Sequence, residues 1–238
     1  MTPRLLICIP CHNRRRVAEL CLPTMRDSLH DDDWLRLYDD ASSEYDAHWL
    51  AQFRPWRNGE CVDRSSQGVL GIQAQRRTHL KEFLERPEFT HLYFSDHDCI
   101  HDPSWRGHAL RLQADYGNPL CLYDTEAHSR LPGNTIADAP HSEVIFRRHA
   151  PGVSYLLTRA HVERLRPHIA TLEHFDWQIP DILGPFAVSR VGYIDHIGWG
   201  GQRHPEAEGI EGGDRVKRPT DWLIAKRAEI VAKLKEGA

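Results

Sequence analysis

No apolar run in the 238-residue chain approaches the roughly 20 residues that a membrane-spanning helix needs. The N-terminus, MTPRLLICIPCHN, has one arginine and too short an apolar core for a secretory signal, so a cytoplasmic protein is expected. No excess of positive charge advertises nucleic acid either. The net charge is −4, and only the local runs Arg14-Arg15-Arg16, Arg76-Arg77 and Arg147-Arg148 suit phosphates. Cysteine pairs are scarce. Of six cysteines, Cys8 and Cys11 alone form a C-x-x-C, and Cys8 sits within an apolar run. The pair reads as reduced core or strand-end thiols rather than as half of a zinc or redox site. Also missing are G-x-G-x-x-G after the first strand and G-x-x-x-x-G-K-[ST] anywhere, which argues against a Rossmann dinucleotide site and a P-loop. There is no internal repeat and no low-complexity tract.

What is present is an alternation of strands and helices in a chain of ordinary globular composition, 40% hydrophobic and 27% charged. Arg4 to Ile9 is a continuous apolar run ended by Pro10 and reads as a buried strand of the parallel type. Arg14 to Leu29 has helical composition, with a kink or break expected at Pro23. Trp34 to Tyr38 is a second strand, Tyr45 to Phe53 a helix, and Cys61-Val62 a short third strand. Gly68 to Gly71 leads into a helix ending near Phe83 or Glu85. A strand at His91 to Ser95 and a helix at Pro103 to Tyr116 follow. The second half is less regular. Strands are expected at Leu120 to Tyr123, Val144 to Phe146, Gly152 to Leu157 and Val188 to Ile194, with a helix from Arg159 to Arg166. Arg130 to His141 reads as loop, His196 to Gly213 as a mobile glycine-rich loop, and Pro219 to Glu236 as a terminal helix. The expected class is α/β, with a mainly parallel central sheet flanked by helices.

Open α/β sheets bind ligands beyond the carboxyl ends of their strands. Three expected strands end in polar or acidic groups: Pro10-Cys-His12-Asn13, Asp39-Asp40 and Asp96-His97-Asp98. Two carboxylates as close as Asp96 and Asp98 repel each other and resist desolvation, so a positive partner is required. A crevice rimmed by carboxylates, without a P-loop, suits Mg²⁺ or Mn²⁺, and such an ion can hold substrate phosphates.

The order of these motifs resembles family-2-type glycosyltransferases with a GT-A fold. Their opening strand ends Pro-x-Tyr-Asn; here Ile9-Pro10-Cys11-His12-Asn13 stands, with His12 in place of the aromatic residue. Their Asp-Asp-x-Ser is matched by Asp39-Asp40-Ala41-Ser42, and their Asp-x-Asp by Asp96-His97-Asp98. Gly71-Ile-Gln-Ala74-Gln-Arg76-Arg77 loosely matches a Gly-rich turn followed by Ala-Arg-Asn. Phe175-Asp176-Trp177 and Asp181 loosely match a late acidic motif, and His196-Ile-Gly198 with His204 a His-Ile-Gly segment. The resemblance covers residues 4 to 204. It implies a catalytic domain over 1–204, with a nucleotide-sugar half at 1–118 and an acceptor half at 119–204. Residues 205–238 form the remaining loop and terminal helix.

By that resemblance Asp98 is a direct metal ligand, and Asp96, on the metal and donor side with it, contacts the metal through water or contacts the donor ribose. His196 is a third ligand. Asp39 and Asp40 read the base and ribose, Pro10 shapes the turn, His12 stacks on the base, Asn13 belongs to the same donor site, and Arg76 or Arg77 meets the diphosphate. Asp176, with Asp181 second, is the general base of an inverting transfer. Trp177 and Trp199 are candidate sugar platforms. Each position also has a plainer reading: an acidic turn for Asp96 and Asp98, a turn or cap for Asp39, Asp40 and Asp176, and solvated surface for His12, His196 and one of the paired arginines. The implied activity is metal-dependent hexosyl or related transfer from a nucleoside-diphosphate sugar, with UDP-sugars foremost, to a glycan or small molecule. Three alternatives stay open. They are transfer to a hydroxymethylated base in DNA, a nucleotidyltransferase making sugar nucleotides, and a non-catalytic nucleotide- or carbohydrate-binding module.

Overall fold

The computed structural model describes residues 2–55, 57–125, 129–139, 141–197 and 217–236. The apolar run after Arg4 forms β1 (Leu5–Cys11), in which every residue but Pro10 is buried. Burial on both faces is what a central parallel strand requires. β1 lies between β2 (Trp34–Asp39) and β4 (His91–Ser95), parallel to both, and β3 (Gly59–Asp63) extends the sheet beyond β2. Helices α1 (Arg15–Arg26), α2 (Ala47–Leu50) and α3 (Ile72–Glu85) lie in the connections that parallel pairing demands. α2 is continued only by a 3-10 turn, Ala51–Phe53, where a longer helix was expected.

Both prolines depart from expectation. Pro10 lies inside β1 rather than ending it. Cys11 O accepts from Asp40 N on the β2 side, so Pro10 faces the other way, beyond the last β1–β4 pair, Cys8 with Phe94. Its missing N–H deprives no ladder partner there. Pro23 lies within α1, which runs through to Arg26. Glu19, the residue four positions before Pro23, is exposed, so water can take the carbonyl left without its helical partner.

The sheet is mixed, not mainly parallel. Its nine strands run in the order β3-β2-β1-β4-β9-β6-β10-β8-β7. The added strands are β6 (Leu120–Cys121), β7 (Thr135–Ala137), β8 (Val144–Arg147), β9 (Ser154–Thr158) and β10 (Phe186–Ser189). β9 runs antiparallel to both β4 and β6, and β8 antiparallel to both β10 and β7. The reason is connection length. Residues 138–143 are too few to carry a crossover, so β7 and β8 can pair only as a hairpin. β7 falls where a loop was expected. All three of its residues are exposed, which leaves no apolar alternation to signal a strand.

A second, two-stranded sheet matters most for the site. β5 (Cys99–His101) pairs antiparallel with β11 (Ile194–His196), placing His196 opposite Cys99. The single strand expected over Val188 to Ile194 is therefore two strands in different sheets. They part where Gly192 N donates to Arg218 O and Thr220 N donates to Gly192 O. Helices α4 (Trp105–Tyr116), α5 (Arg159–Leu165), α6 (Phe175–Leu183) and α7 (Asp221–Glu236) complete the fold. Leu223 and Ile230 of α7 pack with Cys21, Ile100 and Ile197 in a small core behind the ribbon. Arg227 Nη1 reaches Asp195 Oδ2 at 2.7 Å and ties the same helix to β11. Among the described residues no helix is long and apolar enough to cross a membrane.

Candidate active site

Because β1, β2 and β4 are parallel, their carboxyl ends open on one edge, and the polar strand ends meet there. After β4 the chain turns through Asp96-His97-Asp98 into β5, and β11 returns alongside. One ligand atom each from Asp96, Asp98 and His196 lies within 4.8 Å of the others. His196 Nε2 is 3.0 Å from Asp98 Oδ1, and Arg14 Nη1 is 2.5 Å from Asp98 Oδ2. At 3.0 Å the imidazole nitrogen and the carboxylate oxygen are spaced as neighbours in the coordination shell of one divalent cation could be.

The electrostatics point the same way. Burial raises the Asp96 carboxyl, Arg76 opposes it, and repulsion from Asp98 adds to the rise. Burial also works against charge on Asp98, but His196, His97 and Arg14 outweigh it and hold that carboxyl well below its usual range. Burial disfavours charge on His196 as well, yet Asp98 lifts its pKa. Asp98 is thus the readily ionised member of the pair and Asp96 the one whose charge is opposed by burial and by its neighbour.

Asp39 and Asp40 part company. Asp40 accepts from Leu70 N at 2.8 Å and Gly71 N at 3.0 Å, so both its oxygens hold the turn before α3. That turn uses positive φ at Gly68 and Gly71, which glycine adopts without strain. Among the described residues Asp39 accepts only from Ser42 N, through Oδ1. Burial raises its pKa, and the Ser42 N–H partly offsets this.

The β1 turn is locked from below. Asn13 and Arg14 both lie in the left-handed region, φ 51° and 59°. Asn13 Oδ1 accepts from the Ser42 and Ser43 hydroxyls and from Ser43 N. His12 Nδ1 donates to Asp40 O at 2.8 Å, and its Nε2 lies 3.3 Å from Asn13 Nδ2. Both His12 nitrogens are engaged within the protein.

Arg76 and Arg77 diverge too. Arg77 Nη1 donates to Leu172 O at 2.6 Å, on the far side of α3. Arg76 is buried and lies between two carboxylates, 3.8 Å from Asp96 Oδ1 and 3.5 Å from Asp176 Oδ1. It also donates to Gly152 O. Tyr155 Oη lies 2.9 Å from Asp176 Oδ1 and 2.7 Å from Ala150 O, two acceptors that share its one hydrogen. Asp176 sits in the first turn of α6, whose N-cap is His174, so it is not itself the cap. Its Oδ1 is anchored, and its side chain is 37% exposed, so Oδ2 can face a substrate. Asp181, five residues on, is rotated about 140° around the helix from Asp176 and is exposed. Trp177 is exposed and packs on His149, ring centroids 3.4 Å apart. Gly198, Trp199, Gly201 and His204 lie outside the described residues, as does most of the loop expected to be mobile.

Four contributors were not singled out from sequence as parts of the site: Arg14 as the partner of Asp98, Tyr155 and Gly152 beside Asp176, and Tyr123, whose ring lies edge-on to His196 at 6.2 Å. Only Arg14 left a signal, as part of a basic run directly after a strand end.

A crevice at the parallel strand ends is where an α/β sheet of this kind takes its ligand. The sequence model of glycosyl transferase family 2 matches residues 6–198, and the chain belongs to that family. No curated protein matches it. Among solved structures, it is similar to S. aureus TarS 1-349, with TM-score 0.59, 12% identity, and coverage of 96% of this chain and 69% of that one. The same fragment in complex with UDP-GlcNAc gives TM-score 0.57 at 13% identity, covering 80% and 57%. Whole S. aureus TarS gives 0.55 at 10%, covering 97% of this chain and 42% of that one. The chain thus spans less than half the length of whole TarS. At these identities the likeness shows the fold, which is GT-A.

Proposed function

We propose that this glycosyltransferase is metal-dependent and inverting. In this reading it moves a sugar from a nucleoside-diphosphate sugar to a hydroxyl of a glycan or small molecule. The observation that carries the reading is the convergence of Asp96, Asp98 and His196 within 4.8 Å at the strand ends, beside a carboxylate, Asp39, with an uncommitted oxygen. Asp96, Asp98 and His196 would hold Mn²⁺ or Mg²⁺. Such an ion, when bound, neutralises charge on the leaving nucleoside diphosphate. A UDP-sugar is favoured because a carboxylate in the place of Asp39 accepts from a uracil imino group or a ribose hydroxyl. The TarS fragment crystallised with UDP-GlcNAc and with UDP supports the same donor.

Asp176 Oδ2 takes the proton of the acceptor hydroxyl while that oxygen attacks the anomeric carbon and the bond to the diphosphate breaks. Arg76 and Tyr155 hold the other oxygen and so fix the direction of the free one. Asp181 is the second candidate base. Trp177, exposed next to Asp176, offers an aromatic face for a sugar. Residues 1–118 carry the donor side of this scheme and 119–204 the acceptor side. All six cysteines are free thiols, which supports the reducing cytoplasm as the working compartment.

The test is to incubate the protein with a panel of nucleotide sugars and oligosaccharide acceptors and to measure released nucleoside diphosphate and the anomeric configuration of the product. Release that needs Mn²⁺ or Mg²⁺, stops with chelator and gives inverted product supports the reading. Absence of release from every nucleotide sugar, with metal present, contradicts it.

A further inference from the structure

The Arg147-Arg148 run plays no part in the chemistry above, yet Arg147 is almost wholly buried. It lines a cavity of about 210 Å³ with Asp124, Ser129, Arg190, Lys217 and Arg218. Four cations surround this space against two carboxylates, Asp124 and Asp138, so it favours an anion. Arg147 Nη2 bonds Asp124 Oδ2 at 2.9 Å and Ser129 Oγ at 3.0 Å, and Nη1 bonds Thr135 Oγ1 at 2.8 Å. Two buried atoms of this group have no partner: Asp124 Oδ1 and Arg147 Nε. One is an acceptor and the other a donor, which is the pair of functions that a sugar or polyol hydroxyl satisfies. A buried ion pair left half-satisfied is costly unless something completes it.

One chain segment links the cavity to the candidate site. Tyr123, whose ring lies edge-on to His196 at 6.2 Å, directly precedes Asp124. The chain that leaves the metal cluster after His196 returns at Lys217, where Lys217 N donates to Asp124 O at 2.8 Å and Lys217 Nζ reaches Ser129 Oγ. Gly192 N donates to Arg218 O and holds that strap in place. The cavity volume suits a single monosaccharide-sized group with a phosphate.

We infer that this cavity is a binding site for a phosphorylated sugar or polyol, and that it receives the anionic end of the acceptor. Arg218 and Lys217 meet the phosphate, and Asp124 with Arg147 meets a hydroxyl. Only the word acceptor rests on the proposed transferase reading; the binding itself does not.

The test is isothermal calorimetry with glucose, inorganic phosphate and glucose 6-phosphate, at low and at 0.5 M salt, on the wild type, Arg218→Glu and Lys217→Ala. Binding of UDP with Mn²⁺ is measured on the same samples. The expected result is that glucose 6-phosphate binds at least ten-fold tighter than either glucose or phosphate, weakens with salt, and loses at least ten-fold in both variants while UDP binding is unchanged. Equal binding of glucose and glucose 6-phosphate overturns the site, as does phosphate alone binding as tightly, or wild-type affinity in both variants. If sugar phosphate binds as expected but UDP with Mn²⁺ does not bind at all, the cavity stands and the transferase reading falls.

Discussion

Arg76 Nη1 lies 3.5 Å from Asp176 Oδ1, and Gly152 packs directly against both side-chain ends. A Cβ on Gly152 would fall 2.6 Å from Asp176 Oδ1 and 2.8 Å from Arg76 Nη1. Gly152→Ala must displace one or both. If Asp176 is the base, kcat falls by roughly ten-fold or more, because an ångström of misplacement is enough to do so. The affinity for UDP with Mn²⁺, measured alongside, shows whether the displacement of Arg76 also reaches Asp96, 3.8 Å from it. A variant with full kcat removes Asp176 from the mechanism.

Asp176→Asn isolates the same group. The variant keeps the bond from Tyr155 and loses the ability to take a proton. We expect kcat to drop by about 10²–10⁴, the usual share of general-base catalysis, with KM for the donor little changed. Asp181→Asn, at the exposed site further along α6, retains activity under this account. Steady-state kinetics of the two variants side by side decide between the carboxylates.

The two adjacent acids of β2 are expected to separate stability from binding. Asp40→Ala leaves the Leu70 and Gly71 N–H groups without their acceptor, at a cost of roughly 1–3 kcal/mol each. Urea denaturation reads that loss. Asp39→Asn keeps the fold near wild-type stability and weakens nucleotide binding. The reverse pattern would exchange their roles.

His101 gives the fold a pH dependence. Burial pushes its pKa down to about 3. It bonds Ser95 Oγ and Tyr93 Oη as a neutral ring. The unfolded chain takes up a proton near pH 6.5 and the folded one does not, so stability is complete above pH 6.5 and declines as pH falls toward 3. At pH 5 the loss from His101 alone is about 2 kcal/mol relative to pH 8. His101→Gln lowers stability at pH 8 but loses less between pH 8 and pH 5 than the wild type. Equal losses in the two proteins would remove His101 as the source.

Leu223→Ala tests the brace behind the metal cluster. Leu223 is fully buried against the β5–β11 ribbon, and its truncation costs about 2–5 kcal/mol. Because the ribbon sets His196 against Asp98, the proposed metal site predicts a fall in Mn²⁺ affinity as well, although Leu223 is not among its proposed ligands. Mn²⁺ titration of the variant below its melting temperature reads this second effect.

Strand ends were legible because chemistry and periodicity coincide there. The run Leu5 to Ile9 and the run Leu92 to Phe94 each break into polar residues, and those breaks are where β1 and β4 open on the crevice. His196 was legible as a residue but not as a neighbour. Its approach to Asp98 depends on β5 and β11, two three-residue strands too short to carry a periodic signal. Asp39 and Asp40 look alike in sequence, and only the path of the turn at Gly68 to Gly71 shows that Asp40 is taken by backbone amides. The same holds for Arg76 and Arg77. Adjacent helical residues point about 100° apart, so one reaches the site and the other Leu172. Antiparallel β9 in the middle of the sheet left no trace in its own sequence, since a buried strand reads the same in either direction.

The central claim is that Asp98 helps hold a divalent cation which in turn holds a nucleoside diphosphate. Calorimetric titration of UDP into wild type and Asp98→Asn, each with Mn²⁺ and each with EDTA, tests it most directly. The account predicts binding by wild type with Mn²⁺, little with EDTA, and at least a hundred-fold loss in Asp98→Asn with either. UDP binding of equal strength in all four titrations would contradict it.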